Sequence, residues 1–142
     1  MYWQYLCWGA TKVLSWYKNS AFPTALTNVY VSLHTADPGT AGTNNDVSAS
    51  IIGNSTRVGI AATAFSAVGA GSGGGFQITN SNVCQITTSA QNSSGITVTH
   101  FGIWDAATSG NFLASGSLTT NVDVQLGDTV QFNSAAMAIK VI

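Results

Sequence analysis

From residue 28 onward the chain alternates. Val29, Val31 and Leu33 are interleaved with Tyr30, Ser32 and His34, the period of two that sends successive side chains to opposite faces of a strand. Further apolar runs recur around residues 47–52, 57–68, 76–79, 83–87, 96–105, 111–118, 122–126, 129–132 and 137–142, set apart by clusters of Gly, Asn and Ser. About eight to nine short strands at this spacing predict a mainly β protein, an antiparallel β-sandwich of jelly-roll-like type. A parallel α/β sheet is excluded, because each of its strand pairs needs a helical crossover. Leu126-Gly127-Asp128 has the chemistry of a tight hairpin turn between two strands. At 142 residues the chain fits one domain, and a domain of that size buries ~70% of its unfolded surface, enough to stand without metal or disulfide.

The first twenty residues follow another rule. Trp3, Leu6, Cys7, Ala10, Val13, Leu14 and Tyr17 recur at helical spacing, the stripe of an amphipathic helix. Asn19 and Ser20, with Pro23 beyond, are stop signals. The organisation expected is therefore a helix over residues 1–20 and a single sandwich over 21–142. The stripe is expected to dock on the sandwich. The other face carries Tyr5, Trp8, Lys12 and Trp16, too aromatic for a solvated surface, so these four residues are the expected contact with another subunit. The segment lacks the basic start and small-residue end of a signal peptide. It is also shorter than the ~20 residues that span a bilayer.

Charge narrows the function. Lys and Arg number 4 and Asp and Glu 5, with no glutamate among them, and the net charge is −1. Ser, Thr and Asn together supply 44 of the 142 residues. A single arginine among so few cations does not release the counterions that nucleic-acid binding rests on, and no polybasic segment exists to hold a membrane. A soluble domain normally keeps a net charge to stay dispersed; a chain without one tolerates close packing in an array.

No catalytic motif stands out. The run Gly69-Ala70-Gly71-Ser72-Gly73-Gly74-Gly75 lacks the Lys-Ser/Thr and helix of a phosphate loop and is read as a flexible hairpin loop. Asp37, Asn44, Asn45 and Asp46 lack the spacing of a calcium loop and are explained by the turn chemistry of Asp-Pro-Gly. Cys7 and Cys84 make no disulfide framework and read as small buried hydrophobes. His34 falls with Tyr30 and Ser32 on the face opposite the valines, a half-exposed strand histidine. In His100-Phe101-Gly102-Ile103-Trp104-Asp105 the glycine lets His100 and Trp104 pack over the strand. A hydrolase using His100 with Asp105 lacks its motif context. No cofactor and no metal is expected.

Two stretches carry a resemblance. Val29 to Thr40 with Asp46-Val47-Ser48 and Arg57 forms one, and Val98 to Ala106 with Gly110-Asn111 and residues 118–129 forms the other. Together they resemble a family of small tailed-phage structural proteins, labelled phage tail fibre proteins, to which β-rich head decoration (cement) proteins are similar. The sequence departs from that pattern at Thr56, where the family places an aromatic, and at residues 51–55, which look inserted. The resemblance implies a non-enzymatic virion protein made in the host cytoplasm. The preferred expectation is a capsid decoration protein on the shell exterior, bound to the major capsid protein and homotrimeric. The alternative is a tail-fibre or tail-tip component that binds a host-surface glycan.

Overall fold

The computed structural model describes residues 7–47, 57–87, 95–125 and 127–141. A helix, α1 (Cys7–Tyr17), precedes β1 (Asn28–His34), β2 (Val58–Ala61), β3 (Gly69–Ala70), β4 (Phe76–Thr79), β5 (Cys84–Thr87), β6 (Ile96–Trp104), β7 (Phe112–Val124), β8 (Thr129–Phe132) and β9 (Ala138–Val141), with one 3-10 turn at Ala62–Ala64. The strands form a four-stranded sheet ordered β2-β1-β6-β7, a three-stranded sheet β3-β4-β9 and a two-stranded sheet β5-β8. Every ladder is antiparallel, as the alternation and short connections predict.

The core lies between the large sheet and the two smaller ones. Val29, Val31 and Leu33 of β1 meet Val98, Phe101 and Ile103 of β6 on one side, and Ile86, Val130, Phe132 and Met137 close the other. Phe101 and Phe132 cross from opposite layers at a ring distance of 6.1 Å, an edge-to-face packing. A register shift in the β6–β7 ladder between Val98 and His100 lets Val98, Phe101 and Ile103 share the core face. His100, Gly102 and Trp104 are thereby turned outward. Cys84 is buried in this core, and burial pushes its thiol up to about 11, the inert state of a small hydrophobe.

Three local expectations change. The runs at 111–118 and 122–126 join into the one long strand β7, held along its length by β6. The turn at residues 125–128 is not a hairpin, since β7 and β8 belong to different sheets. Gly127 takes a positive φ of 86° and Asp128 Oδ2 accepts from the Gln125 amide at 2.8 Å, so this turn carries the chain from one layer to the other. The glycine run begins with β3 and is a structured hairpin to β4. Its tip holds a lysine the sequence places far away: Lys140 of β9, almost wholly buried, donates through Nζ to the Ser72 carbonyl, and its Cε occupies the space a side chain at Gly71 would need.

One side chain locks the end of the second layer. Asn80, 1% exposed, donates to the carbonyls of Asn82 and Asn133, each at 2.8 Å, and its Oδ1 accepts from the Met137 amide at 2.8 Å. It thus fastens the approach to β9 onto the end of β4. Asn80→Ala leaves these buried groups without partners, at 1–3 kcal/mol for each group left unsatisfied. Urea denaturation is expected to show a loss of about 3 kcal/mol with an unchanged m-value.

Candidate functional site

Two features lie on the outer side of the large sheet: the helix α1 and the polar cluster beneath it. The helix ends in a Schellman motif. Asn19, at φ 65°, donates to the Trp16 carbonyl at 3.0 Å, and Ser20 to that of Ser15 at 3.0 Å. At ~100° per residue, Trp8, Thr11, Lys12 and Ser15 fall on one side, and Val13, Leu14, Trp16 and Tyr17 fill the arc opposite. Trp8 and Lys12 are half-buried on the inner side, where the Lys12 ammonium lies 5.5 Å from the Trp8 ring centre. Val13, Leu14 and Tyr17 are exposed. The expected docking is therefore reversed: the apolar stripe faces out, and the face of Trp8 and Lys12 faces the body. Trp16 is exposed with the stripe, and Tyr5 lies outside the described residues.

The reason lies in what the body offers. Its apolar core is already closed between sheets, and the helix meets only the rim of the outer face. That rim and the inner side of α1 enclose an open groove of about 420 Å³ lined by Thr40, Ala41, Asn111 and Phe112, with Trp104 at its floor. Ala41, Trp104 and Phe112 make this rim largely apolar, with Thr40 and Asn111 as its polar groups, and it receives the Trp8 ring and the stem of Lys12.

Under the rim the outer face of β1 and β6 is itself buried. Ser32 and His34 are both 0% exposed and Trp104 5%, so His34 is not the half-exposed histidine its alternation predicts. The loop at residues 35–46 covers it. Trp104 Nε1–H donates to Ser32 Oγ at 2.9 Å, Ser32 Oγ pairs with His34 Nε2 at 2.7 Å, and His34 Nδ1 pairs with the Asn44 carbonyl at 2.8 Å. A carbonyl only accepts, so Nδ1 carries the proton and Nε2 accepts from the Ser32 hydroxyl. The chain of donors runs one way, from indole to hydroxyl to imidazole to loop. Gly102 makes it possible: a Cβ there would lie 2.5 Å from Ser32 Oγ and 3.1 Å from His34 Nε2. Over this glycine Trp104 thus meets Ser32 and His34, whereas His100, facing His34 across the β1–β6 ladder, turns its Nδ1 to Thr99 Oγ1 at 2.7 Å.

Arg57 closes the cluster. Its guanidinium lies 3.6 Å from the Trp104 ring centre, a cation–π stack, and its Nη1 donates to the carbonyls of Ala106 at 3.1 Å and Ser109 at 2.9 Å. Asp105 holds the same loop from within: its carboxylate accepts from the Asn111 amide at 2.6 Å and from Asn111 Nδ2 at 2.7 Å. His100 and Asp105 therefore serve different bonds at different places and form no catalytic pair. Ser32 and His34 do have the polarity of a serine–histidine pair, but both are sealed from solvent, and the indole N–H occupies the serine oxygen. Sequence reading missed Ser32, His34 and Arg57 as one cluster; the alternation gives a signal for the shared face of Ser32 and His34, while nothing local ties Arg57 to Trp104.

Residues 5–140 match the family model described as podophage GP4 fiber I protein gp80. No curated protein matches the chain. The family match agrees with the resemblance to tailed-phage structural proteins carried by residues 29–57 and 98–129.

Burial lowers the pKa of His34, against smaller raising effects from the Asn44 bond and Asp46, with His100 and Arg57 adding to the lowering. Above about pH 6.5 the histidine is neutral in both folded and unfolded chains. Below that, the unfolded chain takes up a proton that the folded one resists, so unfolding free energy falls with pH. Denaturant titrations between pH 8 and 5.5 should show this fall, and His34→Gln should be less stable at pH 8 with the fall removed. Gly102→Ala should lose about 2–3 kcal/mol by overpacking against Ser32 and His34, read by the same titration.

Proposed function

The chain belongs to this podophage fiber family, and from that premise we propose that it is a non-enzymatic structural subunit of a tailed-phage fibre, built into the virion as a homotrimer. The observation that carries an assembling role is the outward apolar face of α1. Among the described residues the core closes between the sheets and leaves Leu14, Trp16 and Tyr17 exposed on one helix face, and a subunit that works by packing against others needs such a face. A near-neutral chain supports this, because close-packed copies do not accumulate repulsion.

Low charge suits capsid decoration, with the major capsid protein as partner, as much as it suits a fibre, and the family description favours the fibre. Contact with a host-surface glycan belongs to that reading, with the Trp8 ring, the Thr40 hydroxyl and the Asn111 amide around the groove as its means. The sealing of Ser32 and His34 supports a role without catalysis. Four cations dispersed over 142 residues weigh against nucleic acid or a membrane as partner.

Gold-labelled antibody on purified particles is expected to mark the tail, at tens of copies by quantitative mass spectrometry; hundreds of copies over the head would return the chain to the decoration role. A fluorophosphonate probe is expected to leave Ser32 unlabelled in the native protein. An adduct on Ser32 would overturn the non-enzymatic reading.

A further inference from the structure

We infer that the outward face of α1, continued by Phe22, is the surface through which copies of this chain pack on one another. The inference rests on the homo-oligomeric part of the reading above and names the residues that make the contact. Leu14 is 63% exposed, Trp16 54%, Tyr17 74% and Phe22 56%, and Val13 on the same helix arc is 40% exposed. These are not scattered side chains. Trp16 stacks obliquely on Tyr17 at a ring distance of 5.5 Å and receives Phe22 edge-on at 6.3 Å, so the three rings form one prearranged platform. The Schellman turn at Asn19 and Ser20 brings Phe22 back beside the helix, and the inner face of α1 fixes the platform to the body near β7.

Area and charge choose the occupant. A ring offers 150–250 Å² when fully buried, so the five residues together expose apolar surface on the order of 500 Å², in the upper part of the range for the largest patch on a monomer. That is most of the ~800 Å² per partner in a stable interface. Between residues 13 and 26 the only charged side chain is Lys18. The patch therefore carries no pattern that selects an oppositely charged partner and no cationic rim for anionic lipid. Its complement is another uncharged aromatic face, and a second copy supplies one in every assembly. Three such helices around a threefold axis bury their outward arcs against each other while their inner faces stay on their own bodies. Aromatic side chains at the centre of such contacts are the usual energetic hot spots.

The test is sedimentation equilibrium of the full chain as wild type, as Leu14→Ser with Tyr17→Ser, and as Val68→Ser with Phe76→Ser, the last removing exposed apolar groups (70% and 66% exposed) on the other layer. The expected result is an oligomer for wild type and for the Val68/Phe76 variant, and at least ~30-fold weaker association for the Leu14/Tyr17 variant, with thermal melts showing all three folded. Tyr17→Lys, a single change at the most exposed ring, repeats the test should the double variant melt early. An oligomeric Leu14/Tyr17 variant, or equal dissociation by the Val68/Phe76 variant, overturns the surface and leaves the homo-oligomer standing. A wild-type monomer at tens of micromolar overturns both.

Discussion

The Ser32 hydroxyl is the point on which the outer side of this protein is assembled. One oxygen accepts from the Trp104 indole and donates its own O–H to His34, which in turn holds the 35–46 loop by donating to the Asn44 carbonyl. Remove the loop and the histidine is in water; remove the indole and Arg57 has no surface on which to stack. The directionality leaves each group with a partner, and among the described residues no buried side-chain nitrogen or oxygen lacks one. Buried polar networks stabilise only when satisfied in this way. The space for it exists because Gly102, in the middle of β6, has no side chain.

This second, polar core explains how a chain with so few charges and so many hydroxyls and amides remains well ordered outside its apolar sandwich. Short side chains bonded to backbone do the work that long ion-paired ones do elsewhere. Asp37 caps Gly39 at 2.8 Å, Asn45 reaches the Asp37 carbonyl at 3.0 Å, Asp105 ties down Asn111, and Asn80 joins β4 to the approach of β9. The first two bonds brace the 35–46 loop from within and the others hold chain segments beside strand ends, so much of the polar composition is spent on connections.

The sandwich was legible in the sequence because period-two alternation is a local property: Val29, Val31 and Leu33 declare an inner face with no knowledge of their partners. The same alternation set Ser32 and His34 on the outer face but could not show that a loop returns over them, since that depends on Asn44 and on a tryptophan 72 residues from Ser32. Lys140 in the glycine hairpin and Arg57 on Trp104 are likewise products of long-range pairing. For α1 the periodicity gave the helix and its stop near Asn19, but it set Trp16 with Trp8 and Lys12, whereas Trp16 is exposed with the stripe, and a stripe does not say which side turns inward. The body decided that, by closing its core between the sheets and meeting the helix only at a small rim around Trp104 and Phe112.

The position of β1 has a mechanical meaning. It is the first strand after α1 and lies between β2 and β6, paired with both. A pull applied at the helix travels through residues 18–27 into this interior strand and not into an edge. Along the strand axis, the two ladders then resist together, in shear, and their hydrogen bonds share the load instead of opening one after another. Tension entering at the helix and passing residues 18–27 is thus spread over the large sheet before it reaches the 35–46 loop.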